Sequence, residues 1–225
     1  RLREHIQSVV GRYKGRIKGW DVVNEALNDD GTLRQTHWLK IIGEDYIAKA
    51  FQYAHEADPN AELYYNDYSL ENEPKRKGAI KLIKKLQSMK VRVNAVGLQG
   101  HNNLTFPSLA EQDITIAEFA GLGVKVCITE LDVSVLPDPE GFSGAEVTLS
   151  FAMKEKLDPF KQGLPPEIQA ALAKRYADLF GIFLKHRKVI SRITFWGVTD
   201  GDSWLNNFPV RGRTNYPLLY DRAGK

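Results

Sequence analysis

Residues 19–27 read GWDVVNEAL, and this stretch decides the fold. Gly19 and Trp20 lead into Asp21-Val22-Val23, the close of a short apolar run over 17–23 that has the length of a strand. Asn24 and Glu25 follow at once, an amide and a carboxylate side by side where a buried strand runs out. The question is whether that ending is an accident of one strand or a rule of the chain.

Outward from this stretch the pattern repeats. Helix-like segments over 1–11, 35–57, 73–89, 108–120 and 166–187 carry apolar residues at three- and four-residue spacing, as in Ile168, Leu172, Tyr176, Leu179, Phe180 and Phe183. Between them lie short apolar runs over 17–23, 62–65, 93–98, 124–129 and 193–198. Continuous hydrophobic strands alternating with amphipathic helices predict a parallel sheet covered by helices. The runs end in Asn24-Glu25, Asn66-Asp67-Tyr68, Gln99-Gly100-His101 and Glu130-Leu131-Asp132, and the last runs out at Trp196 before Asp200 and Trp204. In parallel α/β folds that end of the sheet carries the binding site, and in a (β/α)8 barrel it carries catalysis. Five such endings in register exclude an accident.

Composition is that of an ordinary globular chain: 225 residues, 43% hydrophobic, 26% charged, formal net charge +3. The densest basic stretch, Lys75-Arg76-Lys77 with Lys81, Lys84 and Lys85, shares a helical pattern with Ile80, Leu82, Ile83 and Leu86. It reads as a solvated helix face, not as a nucleic-acid patch. The single cysteine, Cys127, lies inside an apolar run and reads as a small core residue. No apolar run reaches the roughly 18 residues of a membrane span. Arg1-Leu2-Arg3-Glu4-His5 reads as the middle of a helix, so no signal peptide is expected in this chain. The Pro- and Gly-rich stretch 134–165 is the longest irregular segment, and a loop of that length is usually functional.

Two strand endings supply a carboxylate, Glu25 and Glu130, 105 residues apart. Across a barrel mouth both can face one cleft, and paired carboxylates flanking a bond are the minimum kit for glycoside hydrolysis. A separation of about 5–5.5 Å would make one the nucleophile and the other the acid/base, with retention of configuration. The chemistry needs one protonated and the other ionised. Asp132, two residues beyond Glu130, and His101, ending the adjacent strand, suggest the partition: the histidine can donate to Glu130 and keep it a carboxylate. Asn24, beside Glu25, can hydrogen-bond a sugar 2-OH. Taken singly, a strand-end Glu is more often a cap, a histidine a structural group, and Trp196 or Trp204 a core aromatic. Convergence on one rim weakens those readings together, and aromatic platforms beside paired acids suit a sugar's apolar face. A metal site of His101, Glu130 and Asp132 lacks supporting ligand spacing, and neither metal nor cofactor is expected.

WDVVNEAL (20–27), YYNDY (64–68), VGLQGH (96–101), ITELDV (128–133) and FWGVTDGDSW (195–204) resemble, in this order, the strand-end motifs of glycoside hydrolase family 10, the endo-β-1,4-xylanases. The resemblance implies a TIM (β/α)8 barrel with the acid/base closing strand 4 and the nucleophile closing strand 7. Residue by residue, Glu25 matches the acid/base, Glu130 the nucleophile and Asn24 the residue that binds the 2-OH. Gln99 and His101 match the strand-6 pair bordering the nucleophile, and Asp132 the carboxylate bonded to that histidine. Trp196 and Trp204 match the tryptophans walling the glycone side, and Tyr68 an aromatic contacting the leaving-group sugar. The implied reaction is double displacement on xylan and xylo-oligosaccharides through a covalent glycosyl-enzyme ester, without cofactor or metal. The implied location is extracellular, cell-surface or periplasmic.

On this resemblance residues 1–225 run from helix 3 through strand 8, about five of eight βα units. The first three strands and last helix, with a Lys, an Asn and a Trp-His segment that bind glycone sugars, are expected outside it. Some members insert a carbohydrate-binding module after strand 3, which would separate that part from this one. Five strands do not close a barrel. Two alternatives stay open: a retaining β-1,4-glucanase of the same clan, and a non-catalytic carbohydrate-binding barrel fragment.

Overall fold

The computed structural model describes residues 1–142 and 150–225. Its strands are β1 (Gly19–Asn24), β2 (Glu62–Asp67), β3 (Ala95–Leu98), β4 (His101–Asn103), β5 (Lys125–Ser134) and β6 (Ile190–Phe195). The helices between and before them are α1 (Leu2–Arg12), α2 (His37–Ile42), α3 (Asp45–Ala57), α4 (Glu73–Ser88), α5 (Leu109–Ala120) and α6 (Pro166–Lys185). All strand pairings are parallel. β3 and β4 form one broken line beside β5: Ala95–Leu98 face Lys125–Ile128, and His101–Asn103 face Asp132–Ser134. The break falls at Gly100, whose φ of 80° suits a residue without Cβ. Six strands therefore occupy five positions in chain order, the wall of a partial (β/α)8 barrel. Among the described residues β1 pairs only with β2, and β6 only with β5.

Alternation along each strand separates two apolar layers. Leu63, Tyr65, Val96, Leu98, Val126 and Ile128 join the large core that Ile47, Phe51, Ile83, Phe119 and Leu179 supply from the helices. Tyr64, Ala95 and Cys127 make a small separate cluster. Cys127 is a core residue, as the sequence predicts: burial raises its thiol pKa, and its Sγ lies 3.2 Å from Ser191 Oγ. The helices begin where local chemistry starts them. Ser108 and Glu111 form a capping box at α5, and Thr36 accepts from Leu39 N–H at α2.

Three expectations need correction. The helix expected over 35–57 is two helices, because Gly43 (φ 86°) ends α2 before α3 begins. The strand expected over 193–198 is Ile190–Phe195, since its register with Val126–Leu131 fixes its ends; Trp196 is the first residue past it. The basic stretch of α4 is only partly a solvated face. Lys77, Lys81, Lys84 and Lys85 are exposed, but Lys75 is 0% exposed against Asp67, and buried Arg76 pairs with Glu118. Within 134–165, residues 143–149 lie outside the described residues; the rest holds one 3-10 turn, Glu155–Leu157.

After β1 the chain makes a tight excursion over 26–34. Leu27 and Leu33 bridge antiparallel, Asn28 N–H donates to Thr32 O (2.8 Å), and Arg34 N–H returns to Ala26 O (2.8 Å). The tip rests on α4 where two glycines meet: a Cβ on Gly78 would lie 2.4 Å from Gly31 O and 2.7 Å from its Cα. Alanine in a helix is favoured over glycine by about 1 kcal/mol, whereas forcing atoms into a closed contact costs about 1–3 kcal/mol. Backbone on both sides leaves nothing to yield, so the contact decides the sign. Gly78→Ala is expected to lower the thermal midpoint; a midpoint raised by the better helix former would refute the packing account.

Candidate active site

Each of the two carboxylates lies within or just after a place where the strand ladder slips. β1 pairs Asp21 with Tyr64 but Val23 with Tyr65, so Val22 is an extra residue just before Asn24 and Glu25. β5 pairs Ile128 with Leu98 but Asp132 with His101, which inserts one residue within 129–131, where Glu130 lies. Such irregularities re-aim the side chains beside them. Glu25 is turned further by a left-handed backbone (φ 52°), a conformation that costs a residue with a Cβ about 1–3 kcal/mol. Its N–H donates to Asn66 O at 2.9 Å, so the ladder of β2 holds the strained residue in place.

The side chains form one connected set. Asn66, buried at the end of β2, donates through Nδ2 to Glu130 Oε1 (3.0 Å) and to Asn24 Oδ1 (2.9 Å). Its carbonyl oxygen accepts from Thr129 Oγ1 at 2.7 Å. Gln99 Nε2 donates to Glu25 Oε1 (2.9 Å) and lies 3.5 Å from Asn24 Oδ1. These links have a direction. A carboxylate can only accept, so Glu130 turns the NH2 of Asn66 toward itself; Asn24 must then present oxygen, and Gln99 must present nitrogen. Glu25 Oε1 therefore receives a donor at the far end of a chain that begins on Glu130.

His101 closes the other side. Its Nδ1 lies 3.0 Å from Asp132 Oδ1 and its Nε2 3.3 Å from Glu130 Oε2. Burial opposes a charged imidazole, but Asp132 and Glu130 together outweigh it and raise the pKa to about 9. At neutral pH the ring is an imidazolium donating to both carboxylates. Trp204 Nε1 donates to the second oxygen of Asp132 (2.8 Å); the Trp204 ring lies 4.8 Å from His101 and stacks on Phe208 at 4.6 Å.

Asp21, Asn24, Glu25, Asn66, Gln99, His101, Glu130, Trp196 and Trp204 line one open cleft of about 430 Å³. Trp196 is 47% exposed, an aromatic face offered to the cleft. Asp132 lies behind His101. Tyr68 is not in the cleft lining: it is 2% exposed, and its hydroxyl accepts from Arg34 Nη2. Sequence reasoning gave no role to Asn66, Thr129, Asp21 or Arg34. Asn66 was visible as a strand ending, but its role depends on register across three strands. Burial raises the Asp21 carboxyl pKa, Arg192 lowers it, and Glu130 across the cleft adds a further rise. Among the described residues no group of three or more His, Cys, Asp or Glu is arranged to hold a metal ion.

Two outcomes are expected. A Cβ on Gly97 would lie 2.3 Å from Asn66 Oδ1 and 2.9 Å from Thr129 Cγ2. Gly97→Ala is expected to push the Asn66 amide off Glu130 at a cost of about 1–3 kcal/mol, visible in a crystal structure and in denaturant titration. An unchanged 3.0 Å contact would sink this account. The second concerns pH. Because the folded pKa of His101 lies above 6.5, its contribution is fully present below pH 6.5 and is lost as pH rises through about 9. The size is on the order of 3 kcal/mol. Denaturation of His101→Gln across this range is expected to lack that decline, and a parallel decline in both proteins would contradict it.

The sequence pattern of glycosyl hydrolase family 10 matches residues 1–225. Endo-1,4-beta-xylanase A of Xylanibacter ruminicola is 49% identical over 225 residues, covering 100% of this chain and 61% of that protein. Endo-1,4-beta-xylanase B of Paenibacillus barcinonensis is 44% identical, over 98% of this chain and 62% of that protein. A solved GH10 endoxylanase from a sugarcane soil metagenome superposes with a TM-score of 0.97 at 50% identity, covering 99% of this chain and 65% of that one. The chain thus spans about three-fifths of the length of the curated relatives it matches. With both strand-end carboxylates in one cleft and the family pattern matched from end to end, the chain belongs to glycosyl hydrolase family 10.

Proposed function

We propose that this chain supplies the reacting groups of a retaining endo-β-1,4-xylanase, which cleaves internal bonds of xylan by double displacement. One observation carries the reading: Glu25 and Glu130, each at the end of a strand, line the same cleft and are held by different partners. Glu130 has a donor on each oxygen, Asn66 on one and His101 on the other, which suits a carboxylate that attacks an anomeric carbon. Glu25 has a hydrogen-bond donor on Oε1 from Gln99, while Oε2 has no hydrogen bond from Arg34, whose Nη1 lies 3.7 Å away, so this oxygen is the one open to exchange a proton. The relatives named as endo-1,4-beta-xylanases support the substrate.

In the first step Glu130 attacks C1 from one face while Glu25 protonates the departing glycosidic oxygen, leaving a xylosyl ester on Glu130. In the second Glu25 takes a proton from water, which attacks C1 and releases Glu130. Asn24 turns its carbonyl to Asn66, so its amide NH2 is the group left to meet the sugar 2-OH. Trp196 and Trp204 wall the glycone sugar, and Asp132 orients His101. The first three βα units and the final helix complete the barrel against the open sides of β1 and β6, and bring the remaining glycone contacts. Because xylan is a polymer that does not cross membranes, the site of action is outside the cytoplasm.

Variants of the full-length protein test this on xylan, with β-1,4-glucan as the competing substrate. Glu130→Ala is expected to lose turnover while keeping xylo-oligosaccharide binding. Glu25→Ala is expected to lose about 10²–10⁴-fold in kcat/KM on xylan but much less on aryl xylobiosides with activated leaving groups. NMR of fresh product should show the β-anomer first. An α-anomer, undiminished turnover in Glu130→Ala, or a preference for glucan would each refute the corresponding part.

A further inference from the structure

We infer that Arg34 is a positioning residue for the proton of Glu25, a reading that rests on the acid/base role proposed above. The directional chain from Glu130 through Asn66, Asn24 and Gln99 ends in a donor on Glu25 Oε1. An oxygen that accepts from an amide is not the one carrying the acid's hydrogen, so the transferable proton belongs on Oε2. Arg34 Nη1 lies 3.7 Å from Oε2. That distance leaves the oxygen without a direct hydrogen bond from this nitrogen while keeping a positive charge beside it. When the O–H bond breaks and the proton passes to the glycosidic oxygen, the electron pair stays on Oε2, the atom facing the guanidinium. In the second step the same charge keeps Oε2 ionised, and therefore able to accept, until the proton from water arrives.

The guanidinium is held in place. Arg34 ends the 26–34 excursion, its N–H fixed on Ala26 O, one residue past Glu25. Its Nη2 donates to the Tyr68 hydroxyl, and Tyr68 is wedged beneath Lys75, whose Nζ stands 3.3 Å from the ring centroid. Lys75 in turn pairs with buried Asp67 at 3.0 Å. Asp67 is a like charge that Glu25 also feels, and Lys75 offsets it. Arg34 and Glu25 are each about a quarter exposed, so water and salt weaken the interaction without abolishing it. Neither Arg34 nor Tyr68 lines the cleft, and both act through Glu25.

The test compares Arg34→Gln, Arg34→Lys and Tyr68→Phe in the full-length protein on two aryl xylobiosides. A 2,4-dinitrophenolate departs without a proton; a phenolate or a xylose alcohol needs one. Arg34→Gln is expected to cut glycosylation on the poor leaving group about 10- to 100-fold, with KM little changed, and to leave the activated substrate within about threefold. Tyr68→Phe is expected to show the same selective pattern at a smaller size, which keeps the test alive where Arg34→Gln does not fold. Arg34→Lys, which keeps the charge, stays within about fivefold of the parent. A loss equal on both leaving groups, no loss, or an Arg34→Lys defect as large as that of Arg34→Gln overturns the inference. Glu130→Ala on both substrates and Glu25→Ala on the poor leaving group run alongside: if they retain activity there, the proposed function fails, whereas their expected inactivity with a non-selective Arg34 variant refutes this step alone.

Discussion

The site depends on a single amide. Asn66 reaches Glu130 and Asn24 through one nitrogen and takes Thr129 on its oxygen, so it ties together β1, β2 and β5. A buried amide is costly to leave unpaired, by about 1–3 kcal/mol per group, and the bonds to Glu130, Asn24 and Thr129 engage both polar atoms of this one. Its orientation is forced by the one neighbour that cannot donate, the Glu130 carboxylate. From that fixed point the orientations of Asn24 and Gln99 follow, and with them the oxygen of Glu25 that receives a donor. A charge at one end of the cleft thus sets hydrogen-bond polarity at the other, without contact between the two carboxylates being needed.

Such a network can form only if the strands present these residues at the right depth, and here backbone irregularity matters more than side-chain choice. The extra residue at Val22 and the one within 129–131 each precede or contain a carboxylate. Gly97 leaves the space that Asn66 occupies, and Gly100 lets the β3–β4 line shift to follow β5. The strained φ of Glu25 belongs with these features. Every one costs some regularity of the sheet, and each lies within a few residues of a group with chemistry. Away from these residues the strands place Leu63, Val96 and Ile128 in the large core, which supplies the stability that carries the strain.

This division explains what was legible beforehand. The order of strands and helices, the five polar endings, and the gathering of Glu25, Asn24, Gln99, His101, Glu130, Trp196 and Trp204 on one cleft all follow from period, length and strand polarity, which a sequence displays directly. The split at Gly43 was readable in principle, since a glycine interrupts the pattern there; the end of β6 was not, because pairing with β5 sets it. Asn66 escaped because a register slip decides which side chains meet, and a slip of one residue leaves no mark in composition. Lys75 and Arg76 escaped for another reason. Periodicity places a lysine on a face but does not say that an aspartate on a neighbouring strand waits beneath it, and Asp67 does. Buried charge is a property of pairs, so reading residues one at a time assigns both partners to solvent.

The network is confined to one arc of the barrel wall. Glu25, Gln99, Asn66, Glu130 and His101 come from strand positions that are neighbours in space and consecutive in the chain. The hydrogen bonds described for them run to other residues of this chain, through links that span at most a few strands. Their mutual geometry is therefore a local property of one arc of the wall. Substitutions at Asn66 would therefore disturb Glu130 and Asn24 together, whereas those far from this arc would leave the relay as it is.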